Sequence, residues 1–155
     1  MNEGLQFELT QIGIVVKDVK EATEYYTRVF GIGPWQIRDI SLGPDHCWIK
    51  GKPFNVKSHP VAFAQLGPIQ IELIEPPDDG IHKWFLDSKG EGLHHLCYRV
   101  EDYDAWMDHL KQQGIDILMN AVFDQPETGP RRVAYMESDK IGGVLFELSE
   151  SPTQK

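Results

Sequence analysis

The stretch that decides the fold is Gln11–Ile32, QIGIVVKDVKEATEYYTRVFGI, because it is met again as His95–Ile115, HLCYRVEDYDAWMDHLKQQGI. Each copy opens with a mostly apolar, β-branched run that reads as a strand. Each then sets an aspartate, Asp18 or Asp102, before a helical pattern, where its carboxylate accepts first-turn N–H groups that lack an intrahelical partner. In the first copy Glu21 stands at capping-box spacing from Asp18. Val19, Ala22, Tyr26, Val29 and Phe30 recur at helical spacing until Gly31 ends the run. In the second copy Tyr103, Trp106 and Leu110 share one face, and Gly114 ends it.

β-type runs follow each helix. In the first half they are Trp35–Ile40, Cys47–Lys50, Val61–Leu66 and Ile69–Ile74; in the second, Ile115–Val122, Arg132–Glu137 and Val144–Leu148. Gly43-Pro44, Lys52-Pro53, Gly67-Pro68, Gly129-Pro130 and Gly142-Gly143 supply the turns between them. The closing strands also match, IELIEPP against FELSESP, which aligns Glu72 with Glu147. The expected fold is α+β, one domain over 1–155 made of two tandem βαβββ modules, about 8–76 and 91–150. Pairing of the two sheets gives a half-closed mixed β-barrel with the helices outside and a central cleft. The connector 77–90 is polar and turn-rich, with a short helical piece at Ile81–Leu86, and Trp84 and Phe85 within it are expected to be buried.

At 155 residues, 41% hydrophobic and 25% charged, the chain is large enough for a core that needs no disulfide. Cys47 and Cys97 show no clip or redox spacing. No apolar run approaches the roughly 20 residues of a membrane helix. MNEGLQFELT lacks the basic start and apolar core of a signal peptide, so the cytoplasm is the expected compartment. A net charge of −9 argues against nucleic acid as a partner, since phosphate binding needs clustered Lys and Arg. The nearest thing to a basic patch is Arg131-Arg132, expected in a solvated turn at the cleft rim.

The repeat singles out four polar residues. Gln11 and His95 open the first strands of the two copies, and Glu72 and Glu147 stand at equivalent points of the two last strands. Each alone reads as an ordinary strand-end or outward-facing polar residue. Together they occupy symmetry-matched places among apolar neighbours, where an unpaired carboxylate is costly. A pseudo-twofold pairing brings the four to one point. Three oxygen donors and an imidazole suit a divalent ion such as Co²⁺, Ni²⁺, Mn²⁺, Zn²⁺ or Mg²⁺.

The segments QIGIVVKDVKEATEYYTRVFGIGPW, IQIELIEP, GEGLHHLCYRVED and IGGVLFELSE resemble the vicinal oxygen chelate superfamily, which includes glyoxalase I, methylmalonyl-CoA epimerase, extradiol dioxygenases and bleomycin-resistance proteins. The likeness runs in order along nearly the whole chain. It implies metal ligands at Gln11, Glu72, His95 and Glu147. It also implies a small carbonyl or acyl-thioester substrate and a homodimer. Of the pair His94-His95, strand alternation lets one face the cleft, and the resemblance selects His95. The superfamily's shared chemistry stabilises negative charge on a carbonyl or enolate oxygen while a nearby carboxylate moves a proton. Glu147 is then the general base and Glu72 the second candidate.

Val15 and Pro76 stand where glyoxalase I-like members carry their glutathione contacts, which disfavours a lactoylglutathione lyase. The Gln at position 11 disfavours an extradiol dioxygenase. ELIEP, GLHH and GGVLFEL are more like methylmalonyl-CoA epimerase, although the strand around His59–Ala64 lacks the second catalytic glutamate which that likeness implies. His59 is expected to be an exposed histidine rather than a substitute. A non-catalytic antibiotic-binding protein is the alternative from another class, distinguished by metal content. Tyr25, Tyr26, Trp35 and Trp48 are expected in the core, and His46-Cys47 as an ordinary strand or loop pair.

Overall fold

The computed structural model describes residues 5–152. Strand β1 (Phe7–Val15) leads to helix α1 (Val19–Phe30). The Asp18 carboxylate caps that helix by accepting the Glu21 N–H at 2.8 Å, and Gly31 ends it at φ +68°, a left-handed conformation that a Cβ would strain. Then come β2 (Gln36–Leu42), β3 (Cys47–Ile49), β4 (Lys52–Pro53), β5 (Val56–Leu66) and β6 (Ile69–Ile74). Helix α2 (Ile81–Lys89) precedes β7 (Gly92–Val100) and α3 (Tyr103–Gln112), whose Asp102 cap accepts the Ala105 N–H at 2.9 Å. β8 (Ile117–Phe123), β9 (Arg131–Met136) and β10 (Leu145–Glu150) complete the chain.

The strands form one mixed sheet in the order β2-β5-β6-β1-β7-β10-β9-β8-β3-β4. At its centre β1 and β7 are antiparallel; outside them β6 is parallel to β1 and β10 parallel to β7. If the sheet were flat, β2 and β3 would lie nearly 40 Å apart at about 4.8 Å per strand. Yet residues 43–46 join them and reach at most roughly 18 Å. The sheet therefore curls on itself into the expected half-barrel. Helix α1 covers β5 and β6, burying Val16, Val19, Ala62 and Leu73. Helix α3 covers β10 above Val100, Ala134, Met136 and Leu148. A third cluster, including Cys47, Ile49, Met119, Val133 and Tyr135, lies towards the inside of the curl.

Several local expectations are corrected. Strand β3 comes from the first half but pairs with β8 of the second, Cys47 opposite Ala121, and so helps to close the curl. Strand β5 begins at Val56 because pairing with β2 extends past the apolar run that periodicity detects. Helix α2 runs on to Lys89, and Trp84 on it is 46% exposed. The indole N–H of Trp84 donates to Asp79 at 2.8 Å, while Ile81 takes the buried place. No helix among the described residues is long and apolar enough to cross a membrane.

Leu73 is fully buried between β6 and α1. Leu73→Ala is expected to cost roughly 2–5 kcal/mol, read from the urea midpoint. Outside the barrel, Arg132 donates to Glu150 at 2.7 Å and to Asp104 at 2.7 Å. These hydrogen bonds hold both carboxyls below the usual range. Groups with depressed pKa values stabilise the fold above the unfolded carboxylate range, about pH 4. That contribution is lost as pH falls through the folded values. Arg132→Met should therefore make stability less sensitive to pH below about 4, which acid titration of the unfolding midpoint would measure.

Candidate metal centre

The site is built on the β1–β7 pair. Gln11 lies opposite Cys97, and Gly13 opposite His95, so a pseudo-twofold axis between the strands exchanges Gln11 with His95. Glu72 on β6 stands beside Gly13, and Glu147 on β10 beside Cys97, which are again exchanged positions. The pairing skips Thr10 on β1 and His94 on β7, each the residue immediately before a donor. These are matched β-bulges, which bend a strand and re-aim its side chains.

Four donors converge as the repeat predicts. His95 Nε2 lies 3.3 Å from Gln11 Oε1, 3.2 Å from Glu72 Oε2 and 3.1 Å from Glu147 Oε2. Adjacent donors around an octahedral ion with bonds near 2.1 Å are about 3 Å apart. The Gln11 amide nitrogen donates to Gln70 Oε1 at 2.7 Å, which turns the carbonyl oxygen towards His95. Glu147 Oε2 is buried without a hydrogen-bond partner. The spacing, the unpaired oxygen and two carboxylates against one imidazole together fit a divalent cation.

Gly13 is the position at the candidate site that sequence reading missed. A Cβ there would stand 2.0 Å from His95 Cε1 and 2.4 Å from its Nε2, so the imidazole lies directly on the glycine backbone. A glycine inside an apolar strand is the available signal, since it marks close approach of another group.

Burial pushes the His95 imidazole down, but the carboxylates of Glu147 and Glu72, 3.1 and 3.2 Å from its Nε2, outweigh it and raise the pKa to about 9. Burial, followed by the His95 charge, takes His94 down to about 3. Burial and then the carboxylates hold the Tyr135 phenol well above its usual range.

His82, His94 and His95 also bring ring nitrogens within 4.8 Å of one another, a second grouping suited to a metal. The bulge at His94 accompanies the approach of the two neighbouring rings. Both imidazoles are buried, and their Nδ1 atoms are 3.1 Å apart. His95 turns Nε2 to the oxygens and Nδ1 to His94, so His94 serves as the partner that orients it, as the other ring nitrogen of a ligating histidine usually requires.

The cluster opens on a cavity of about 550 Å³ whose apolar wall includes Ile40, Ile49, Val61, Phe63, Met119 and Val133. His59 is buried and lines this cavity, contrary to the expected exposure, with Nδ1 2.9 Å from the Lys57 carbonyl. It stands four residues along β5 from Phe63, the partner of Glu72, or about 13 Å at 3.3 Å per residue. That distance separates it from the donors. Tyr26 and Trp35 pack under α1, and Tyr25 is exposed. His46 pairs with Asp124 at 3.1 Å. Arg131 lines the cavity, while Arg132 points to Asp104 and Glu150.

In the metal-free protein the raised His95 pKa means that the folded chain holds this proton more tightly than the unfolded chain. The associated stability is complete below about 6.5 and is lost as pH rises through about 9. Gly13→Ala is expected to displace the ring. NMR of the metal-free variant should then show His95 titrating nearer the ordinary imidazole range, and affinity for Co²⁺ should fall roughly 10–100-fold. An unchanged titration would contradict the close approach.

A sequence profile described as the Glyoxalase/Bleomycin resistance protein/Dioxygenase superfamily matches residues 10–135. The ethylmalonyl-CoA/methylmalonyl-CoA epimerase of Cereibacter sphaeroides is 28% identical over 146 residues, covering 92% of this chain and 96% of the relative. The crystal structure of methylmalonyl-CoA epimerase from Mycobacterium tuberculosis superposes with a TM-score of 0.65 at 26% identity, covering 92% of this chain and 86% of that one. A Streptomyces coelicolor methylmalonyl-CoA epimerase variant in complex with 2-nitronate-propionyl-CoA shares the fold, with a TM-score of 0.65 at 22% identity, covering 92% and 96% of the two chains.

Proposed function

The chain belongs to the glyoxalase/bleomycin resistance/dioxygenase superfamily, and we propose that it is a divalent-metal-dependent enzyme which moves a proton on the carbon beside an acyl-thioester carbonyl, as in methylmalonyl-CoA epimerase. The observation that carries this reading is the pair of carboxylates, Glu72 and Glu147, reaching His95 Nε2 from the two strands that flank β1 and β7. Inverting a carbon centre requires removal of a proton from one face and its return to the other. Two carboxylates related by a pseudo-twofold axis answer that requirement.

In this reading the chain is one domain of two modules, and Gln11, Glu72, His95 and Glu147 hold the ion. A bound divalent cation supplies positive charge for the thioester oxygen and makes the neighbouring C–H more acidic. The chain's own groups do the rest. Glu147, whose Oε2 has no hydrogen-bond partner, accepts the proton as the C–H electron pair moves towards the carbonyl oxygen. The Glu72 carboxyl returns a proton to the opposite face, and exchange with solvent resets the pair. Gln70 and His94 keep Gln11 and His95 turned to the site. The apolar wall of the cleft excludes water, which strengthens each of these interactions.

Metal analysis of the purified protein, followed by deuterium exchange in heavy water over a panel of acyl-CoA thioesters, tests the proposal. We expect stoichiometric metal and metal-dependent incorporation beside the carbonyl. In Glu147→Gln the rate should drop about 10²–10⁴-fold. A protein that binds no divalent ion and exchanges no thioester is not this enzyme. Turnover of glutathione hemithioacetal in the same panel would move the assignment to a lyase.

A further inference from the structure

His95 has a different set of neighbours on each of its two ring nitrogens. Its Nε2 faces the oxygens of Gln11, Glu72 and Glu147, while its Nδ1 lies 3.1 Å from the Nδ1 of buried His94. His82, the second residue of α2, lies beside His94 with ring centroids 4.5 Å apart, and its centroid is 6.4 Å from that of His95. One ring nitrogen of each of the three lies within 4.8 Å of one from each of the others. The first turn that carries His82 is pinned. Ile81 is buried, the Trp84 backbone N–H donates to the Gly80 carbonyl at 2.9 Å, and the Trp84 indole donates to Asp79.

The Nε2 atoms of His82 and His94 are buried with no hydrogen-bond partner. Buried polar atoms left in that state are costly, and the oxygen cluster makes no use of them. Two nitrogens on one tetrahedral ion, with bonds of about 2.0–2.1 Å, stand roughly 3.3 Å apart. The Nδ1 pair of His94 and His95 already has nearly that spacing. From a limit of 4.8 Å, the third imidazole need close by no more than about 1.5 Å to reach it. A ligating imidazole ordinarily donates its other N–H to a carboxylate. His95 Nε2 has two within reach, Glu147 at 3.1 Å and Glu72 at 3.2 Å. His82 lines the large cleft, which gives an ion a way in and water a side from which to complete the tetrahedron.

We propose that His82, His94 and the Nδ1 of His95 form a second, nitrogen-only metal site for a borderline cation such as Zn²⁺ or Cu²⁺, and that it excludes the oxygen-rich cluster because both draw on His95. A neutral imidazole has one lone pair and one N–H, so the ring serves one ion at a time. Imidazole suits Zn²⁺ and Cu²⁺, whereas carboxylate and carbonyl oxygens suit Mn²⁺ and Mg²⁺. The identity of the ion thus selects the site. The nitrogen site stands on the three imidazoles alone; the exclusion rests on the metal reading of Gln11, Glu72, His95 and Glu147 above.

The test titrates the full metal-free chain with Mn²⁺, Cu²⁺ and Zn²⁺. EPR counts the nitrogens on Cu²⁺ and the Mn²⁺ left free, and calorimetry gives Zn²⁺ affinity. Wild type should show three nitrogens on Cu²⁺, and Cu²⁺ should release bound Mn²⁺ one for one. His82→Phe keeps a ring against His94 and Tyr135 but offers no nitrogen. In this variant Zn²⁺ affinity should fall at least about 10-fold and Mn²⁺ affinity change less than about 3-fold, so that retained Mn²⁺ binding also reports an intact fold. His82→Gln should behave alike. One nitrogen on Cu²⁺ in the wild type, or Zn²⁺ affinity indifferent to His82, would overturn the nitrogen site and leave the oxygen-rich reading standing. Cu²⁺ and Mn²⁺ held together by one chain would overturn the exclusion. If the wild type takes up no Mn²⁺ yet holds Cu²⁺ on three nitrogens through His82, the nitrogen site stands and the oxygen-rich reading falls.

Discussion

Everything in this molecule hangs on the antiparallel pairing of β1 with β7. That ladder joins the two repeats and sets Gln11 and His95 in exchanged positions across a pseudo-twofold axis. It also carries a bulge immediately before each of them. A one-residue slip would turn both donors to the opposite face of the sheet and undo the site. The parallel strands β6 and β10 inherit their register from this pair, which is why Glu72 and Glu147 arrive at matching heights.

Closure of the sheet then supplies the environment. With β3 crossing to pair with β8, the curl encloses a cleft whose walls are largely aliphatic and whose polar groups gather at the donor cluster. Two carboxylates placed beside a buried imidazole repel one another unless a cation stands among them. A proton on His95 fills that role in the free protein, as its pKa of about 9 expresses. In the reading proposed above, a divalent ion would do so more completely. The supporting residues, Gly13 beneath the ring, His94 beside it and Gln70 on the amide, all narrow the positions that the donors can take.

The four convergent side chains alone leave the reaction open, because one fold hosts many functions and the surroundings of the site decide among them. Specificity lives in the wall. Here that wall is apolar on the side of β2, β5, β8 and β9, and Arg131, whose Nε is buried without a hydrogen-bond partner, also lines it. His59, which the chain offers as an extra acid–base group, is held well along β5 from the site. Its burial is better explained by its carbonyl contact than by chemistry.

Much of this was legible without coordinates. The matched aspartate caps, the glycine stops, the strand that closes each half and the four donors all follow from local periodicity and an internal repeat, which are properties of neighbouring residues along the chain. The chain alone leaves undecided which strands meet across the curl, since β3 pairs with a strand from the other half. Nor can it show that a bulge lets His94 and His95 approach, that Gly13 is vacant because an imidazole fills its place, or which of two adjacent arginines faces the cleft. Those facts arise from contacts between residues far apart in sequence, and only folding brings them together. The convergence of Gln11, Glu72, His95 and Glu147 was therefore written in the repeat, while the contacts that support it were decided by the closure of the barrel.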